Sequence, residues 1–385
     1  MGYMRGIVQE FCSFFSQKDT VMQGVLKQWM AVVVAVFLIT VLPSGFALAG
    51  GKRVVYTASN NAGGNEVIAI NLDRDGAMTV AATASTGGVG APGLGNQGGV
   101  LATDHGVVAV NAGSNTIAYL RYKYGTLTLS SVVDSGGVRP ISLTRHDNEV
   151  CVLNAGSAIV PANVSCFKLD GRGDLNPIPG ATQPLGLGKG PAQVSFCGNG
   201  HVLAVTAKAT NEILTVPVHG NSLGGVMSFD TTVGAGRVPF GFRCADNVLV
   251  TTFAASTLPG TPSGAGSFLI GRDGSVIALT PFASDTRQAA CWLALSEDNR
   301  LAYVVNTPTR DISGYEVADD GQILLVSEVY ATVGVPVTDA AVVGGVFLVV
   351  SPSAGEVVSY VIRAGGLTLA DTLVLSPGIN GVDGK

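Results

Sequence analysis

Four cations stand at matching places along a repetitive chain. Arg139 precedes Pro140, Lys189 precedes Pro191, Arg237 precedes Pro239 and Arg287 precedes Ala290, at spacings of 50, 48 and 50 residues. Charge is scarce: only 13% of residues are Asp, Glu, Lys or Arg, and the net charge is -5. Guanidinium groups hold carboxylate or phosphate through paired N–H donors, and an ammonium holds them as a point charge. Brought together, the four make a site for a small anionic molecule. Left apart, they are solvated loop charges. Gln97, Gln193 and Gln288 occupy similar positions and offer neutral hydrogen bonds. Asp285 and Asp339 are the candidates, by position alone, for a general base.

The elements that position these residues come from a sevenfold repeat. Seven β-rich runs each end in a small polar residue: Asn60, Asn111, Asn154, Thr206, Thr252, Asn306 and Ser351. A loop follows each, then an alternating strand such as Thr116-Ile117-Ala118-Tyr119-Leu120. Next comes a tight turn, often Asp-Gly as at Asp75-Gly76, Asp273-Gly274 and Asp320-Gly321. Such turns need φ > 0, which Gly supplies. Four short strands per roughly 40–50 residues is the pattern of a propeller blade. The sequence therefore predicts an all-β fold: a seven-bladed β-propeller with four antiparallel strands per blade, spanning residues 50–385. The repeated Asn residues read as local backbone partners, and Trp292 as packing. The first repeat begins at Arg53-Val54-Val55-Tyr56 with the second strand of a blade, while Ser376 to Val382 resembles the innermost strands elsewhere. The C-terminal strand is thus expected to complete the first blade and close the ring. In a ring, the loops leading into the innermost strands converge on one mouth of the central channel, which is where the four cations fall. The stretch Phe253 to Gly266, rich in Pro, Gly and Ser, is expected to project over that mouth.

Residues 1–49 read as a targeting segment. Lys27 precedes the apolar run Met30 to Leu42, Pro43-Ser44-Gly45 breaks it, and Ala47-Leu48-Ala49 places small residues before Gly50. That is the layout of a signal peptide cleaved after Ala49. Residues 1–21 read as an upstream extension, with Met22 as an alternative start. The run is short for a membrane span, so the membrane is met only through an uncleaved leader. Cleavage leaves a net charge of -6 on the mature chain, a poor partner for nucleic acid. A periplasmic or secreted monomer is expected, without cofactor or metal. The histidines His105, His146, His201 and His219 are scattered and no C-x-x-C occurs.

Export permits disulfides. If Asn154 pairs with Asn163 in one hairpin, Cys151 lies opposite Cys166, and opposed antiparallel residues come close enough to bridge. Cys197 and Cys244 occupy near-equivalent places in successive repeats, where they either bridge neighbouring blades or remain buried thiols. Cys291 is left over.

The runs Ala109-Val110-Asn111-Ala112-Gly113-Ser114-Asn115, Gly190-Pro191-Ala192-Gln193-Val194 and Ala289-Ala290-Cys291-Trp292 resemble blade texts of the lactonase-like seven-bladed propellers with YVTN-type repeats. The resemblance covers residues 53–383. That family includes 6-phosphogluconolactonase-like and carboxymuconate-cyclase-like enzymes, and members without a defined activity. Its enzymes carry Gly-Pro-Arg-His runs at the innermost strands. The matching stretches here are Gly190-Pro191-Ala192-Gln193 and Arg139-Pro140-Ile141-Ser142, so the resemblance carries over no catalytic residue. Two functions follow. One is an enzyme acting on a small carboxylated lactone at the cation-bearing mouth. The other is a non-catalytic propeller that binds a protein, a glycan or an anionic ligand there. A general base beside the cations marks the first; a base-free mouth with apolar rim residues marks the second.

Overall fold

In a computed structural model the described residues are 53–385, apart from 235–236, 255–262 and 365. The leader and most of the expected covering loop lie outside them. Seven antiparallel sheets make up the rest, six of four strands and one of five. The single helical element among the described residues is a 3-10 turn at Thr231–Gly234. The innermost strands, from blade one to blade seven, are Asn380–Gly384, Val100–Thr103, Pro140–His146, Pro191–Cys197, Pro239–Ala245, Ala290–Leu295 and Thr338–Val343. We call the face where these strands begin the upper face, and the face where they end the lower.

Burial follows position in the blade. The second strands Gly106–Asn111, Glu149–Asn154, Val202–Ala207 and Val346–Ser351 are buried along their whole length. Each lies between two neighbouring blades, so both faces of its pleat need apolar side chains. Outermost strands such as Thr126–Asp134 are mostly exposed. The core is accordingly a series of layers between blades. Val108, Val110, Ile117 and Tyr119 of blade two pack on Leu143, Val150, Val152 and Phe167 of blade three. Of the repeated polar residues at the ends of the second strands, Asn60, Asn154, Thr206, Thr252 and Ser351 bind backbone, whereas the side chains of Asn111 and Asn306 bind side chains instead, among them Thr116 and Asp311. Thr206 donates to the carbonyl of Phe240 at 2.6 Å, and Thr252 to that of Cys291 at 3.0 Å.

Closure is as the sequence predicts. Asn380–Gly384 pairs antiparallel with Arg53–Ala58, aligning Tyr56 with Asp383 and Ala58 with Asn380. Val54 and Lys385 exchange backbone hydrogen bonds of 3.1 and 3.0 Å.

Two disulfides are present. Cys151 and Cys166 face each other in the register that pairs Asn154 with Asn163, and are bonded. This bond closes a loop of 15 residues, which stabilises by at most about 3 kcal/mol through the unfolded state. Cys197 and Cys244 join blades four and five, and Cys291 is a buried free thiol. Two bridges fit an oxidising compartment.

Candidate functional site

The residue just before each of four consecutive innermost strands is left-handed: Arg139 (φ 61°), Gly190 (φ 54°), Val238 (φ 54°) and Ala289 (φ 50°). This shared kink turns the chain from the rim into the channel. Asn side chains brace it, since Asn115 accepts the N–H of Arg139 at 2.8 Å and Asn211 that of Val238 at 2.7 Å. Three of the four cations beside this kink have separate partners. Arg139 donates to the carbonyls of Pro92 (3.0 Å) and Gly93 (3.2 Å). Lys189 pairs with Glu212, and Arg287 with the buried Asp311. Arg237 is exposed and makes no ion pair or hydrogen bond among the described residues. Glu212 and Asp311 each open the third strand of their own blade, so two of the four charges are neutralised locally.

The glutamines differ more. Gln288 is exposed. Gln193 ties blade four to blade five, donating to the carbonyl of Phe242 at 2.9 Å and accepting its N–H at 2.8 Å. Gln97 sits at the ring axis, within the segment 86–99 that joins blade one to blade two. This segment holds seven glycines and fills the upper end of the channel. The Gln97 side chain donates to Leu293 (2.8 Å) and Ala340 (3.3 Å), and accepts the N–H of Leu293 at 3.2 Å. Its own N–H goes to Ala192 at 3.3 Å, and the carbonyl of Gly98 accepts from Leu143 at 2.9 Å. Asn96 donates to Ile141, accepts the indole N–H of Trp292 at 2.8 Å, and exchanges amide bonds with Asn380. A Cβ at Gly241 would stand 2.1 Å from Oε1 of Gln97. The segment thus meets the innermost strands of blades one, three, four, five, six and seven, and forms a plug across the axis.

Arg139 clamps this plug, and so does Lys208, a cation the repeat spacing did not single out. Lys208 donates to Gly95 and lies 4.7 Å from the centroid of the Phe240 ring. Burial pulls its ammonium down to about 8; the nearby Cys291 opposes this and Arg139 adds to it. Burial pushes the Cys291 thiol up to about 12, so it is not a nucleophile near neutral pH.

Beside the plug, on the same face, lies a cavity of about 450 Å³. Its walls include Leu94, Asn96, Trp292, Thr338, Ile379 and Asn380. None of the described residues lining it is Asp, Glu, His, Lys, Arg, Cys or Tyr. Its asparagines already satisfy one another or the plug, while the buried hydroxyl of Thr338 has no hydrogen-bond partner among the described residues. None of the four sequence-selected cations borders it.

The two candidate bases lie away from this cavity. Asp285 accepts from Ser263 (3.0 Å) and the N–H of Arg287 (2.9 Å), and burial raises its pKa. Asp339 lies under the plug and accepts the N–H groups of Ala340 (2.8 Å), Gly98 (3.0 Å) and Val382 (3.4 Å). Burial raises Asp339 to about 6, against the pull of the Arg243 charge and those three donors. Its folded pKa exceeds its ordinary value of 3.8, so the native state holds the extra proton. The stabilisation is present below about pH 4 and is lost as pH rises through about 6, a change of about 3 kcal/mol. Carboxyl ¹³C NMR should show Asp339 titrating near pH 6. A midpoint below 4.5 would contradict the assignment.

No family model and no curated protein matches the chain. Solved structures do. A protein from Lactobacillus plantarum superposes with a TM-score of 0.64 at 16% identity, covering 87% of this chain and 99% of its own. A candidate 6-phosphogluconolactonase from Bacteroides fragilis gives 0.59 at 14% identity, covering 75% and 83%. The periplasmic gluconolactonase of Pseudomonas aeruginosa gives 0.58 at 14% identity, covering 74% and 84%. At these identities the likeness is one of fold: the chain is built like the lactonase-like seven-bladed propellers.

Proposed function

We propose that this propeller binds a small uncharged ring compound, lactone or sugar-like, in the cavity beside the plug, and does not turn it over. The observation that carries this reading is the cavity, which is large enough for such a molecule and has no titratable side chain among the described residues of its wall. Lactone hydrolysis needs a group to activate water and donors for the developing oxyanion. The wall offers apolar surface from Leu94, Ile379 and the Trp292 indole, while the Thr338 hydroxyl beside it is itself buried. That composition is the one expected of a binding pocket: mostly apolar, with few polar contacts.

We further propose that the protein works outside the cytoplasm, with the mature chain starting at Gly50. The leader pattern, the two disulfides and the periplasmic setting of the Pseudomonas aeruginosa neighbour support this.

Trp292 fluorescence provides the test. Neutral aldonolactones should change it saturably, without release of the ring-opened acid, and Leu94→Glu should weaken binding at least ~10-fold, or about 1.4 kcal/mol. Muconolactones and simple carboxylates should bind more weakly than neutral lactones. Tighter binding of the carboxylates, lost on replacing Arg139 and Arg237 with Gln, would restore the anion site expected from the cation spacing. Steady ring opening would make the protein an enzyme and overturn the present reading.

A further inference from the structure

At the opposite end of the channel, below the plug, Arg243 reaches across the axis. It leaves the innermost strand of blade five and donates through Nη2 to the carbonyl of Ala340 in blade seven at 3.0 Å. Nη1 donates to the carbonyl of Phe242 at 3.3 Å. A guanidinium carries five N–H donors, so three are left without an acceptor among the described residues. No carboxylate lies within 4 Å of Arg243 among the described residues. Beside it is a cavity of about 190 Å³, lined by Arg243, Ala294, Leu295, Asn299, Val342 and Asp383, among others. A water occupies about 30 Å³ of liquid, so the space suits a ligand of about six water volumes.

We propose that this lower mouth is a receptor for a small monocarboxylate, held by the free edge of Arg243 and by the carboxyl of Asp383. An ionised carboxylate accepts paired N–H bonds from a guanidinium. Asp383 then completes the site as a donor in its protonated form. One of its oxygens already accepts the N–H of Ala102 at 2.8 Å. Burial raises its pKa; the N–H groups of Ala102 and Gly384 and the charges of Arg243 and Lys385 oppose that rise. Its register partner Tyr56 remains a neutral phenol, and Asp339 is sealed by three N–H donors under the plug. As pH rises through the pKa of Asp383, the donor becomes a second negative charge facing the ligand, so affinity falls. The site lies on the opposite face from the uncharged-ring cavity and does not depend on it.

The test is a titration with [¹³C]acetate, followed by NMR line broadening and calorimetry between pH 5 and 8. Wild-type protein is expected to bind one acetate, more weakly as pH rises, without a change in Trp292 fluorescence. Arg243→Gln should weaken binding at least ~10-fold. Asp383→Asn, which keeps a donor without the charge, should bind acetate with an affinity that does not fall as pH rises. Should Arg243→Gln fail to fold, Arg243→Lys decides: it keeps the charge but loses the fork, and should bind more weakly than wild type. Unchanged acetate affinity in either Arg243 variant, or wild-type affinity that rises with pH, overturns the proposal.

Discussion

Removing residues 377–385 is expected to abolish cooperative folding. Those residues supply the innermost strand of blade one, and their loss leaves the edge of Arg53–Ala58 with unpaired backbone groups. They also withdraw Ile379 and Val382, fully buried against Val343, Leu348 and their neighbours in the layer between blades seven and one. Emptying two aliphatic sites costs about 4–10 kcal/mol by the usual large-to-small penalties, comparable with the whole stability of a domain, about 5–15 kcal/mol. Three further ties go with them: Asp383 to Ala102, Val382 to Asp339 and Asn380 to Asn96. Urea unfolding followed by circular dichroism should show no cooperative transition in the shortened chain. A synthetic peptide of residues 377–385, added in trans, should restore one. A truncated protein that unfolds at the wild-type midpoint would show that the closing strand is dispensable.

The second large effect concerns Gly241. A methyl group there would lie 2.1 Å from Oε1 of Gln97 and 2.7 Å from the carbonyl oxygen of Cys291. The first neighbour is a side chain that can move; the second is backbone in the adjacent blade. Gly241→Ala should therefore drive Gln97 from its place and leave the buried N–H and carbonyl of Leu293 unpaired, while the Ala340 carbonyl keeps its bond from Arg243. At about 1–3 kcal/mol for each unsatisfied buried group, a loss of about 3–5 kcal/mol is expected. Gln97→Ala alone should cost about 2–4 kcal/mol by the same reasoning. The double variant should cost less than the two together by at least about 1 kcal/mol, because both remove one interaction. Strictly additive costs in urea would mean that the two residues are energetically independent, contrary to their contact.

Much of the fold could be read from the sequence because it repeats. The polar ends of the second strands set the blade period, and the missing inner strand before Arg53 pointed to the segment around Ile379 as its replacement. The pairing of Asn154 with Asn163 put Cys151 opposite Cys166, and that bond is present. The site was far less legible. The cation spacing correctly placed all four residues at the starts of innermost strands. Spacing gives position along the ring but not side-chain direction, and Lys189 and Arg287 turn back to Glu212 and Asp311. Those two acids open equivalent strands, a signal that was there to be paired with the cations. The plug left almost no such trace. Most of Gln97's partners are backbone atoms 196 and 243 residues away, which carry no side-chain signature. The one clue was the length and glycine content of the segment 86–99. Lys208 lies in a loop between strands rather than at an innermost strand, so the same spacing could not find it.

A ring with its axis stoppered at one end is a blind well, not a pore. Whatever enters from below leaves by the same opening, so residence there is governed by one doorway and by the groups that line it. Molecules on the two faces cannot exchange through the centre. Occupancy of one end can alter affinity at the other only if the stopper itself shifts. Its hydrogen bonds to blades on nearly every side of the axis oppose that, so the default expectation for two ligands on this protein is independent, non-competitive binding.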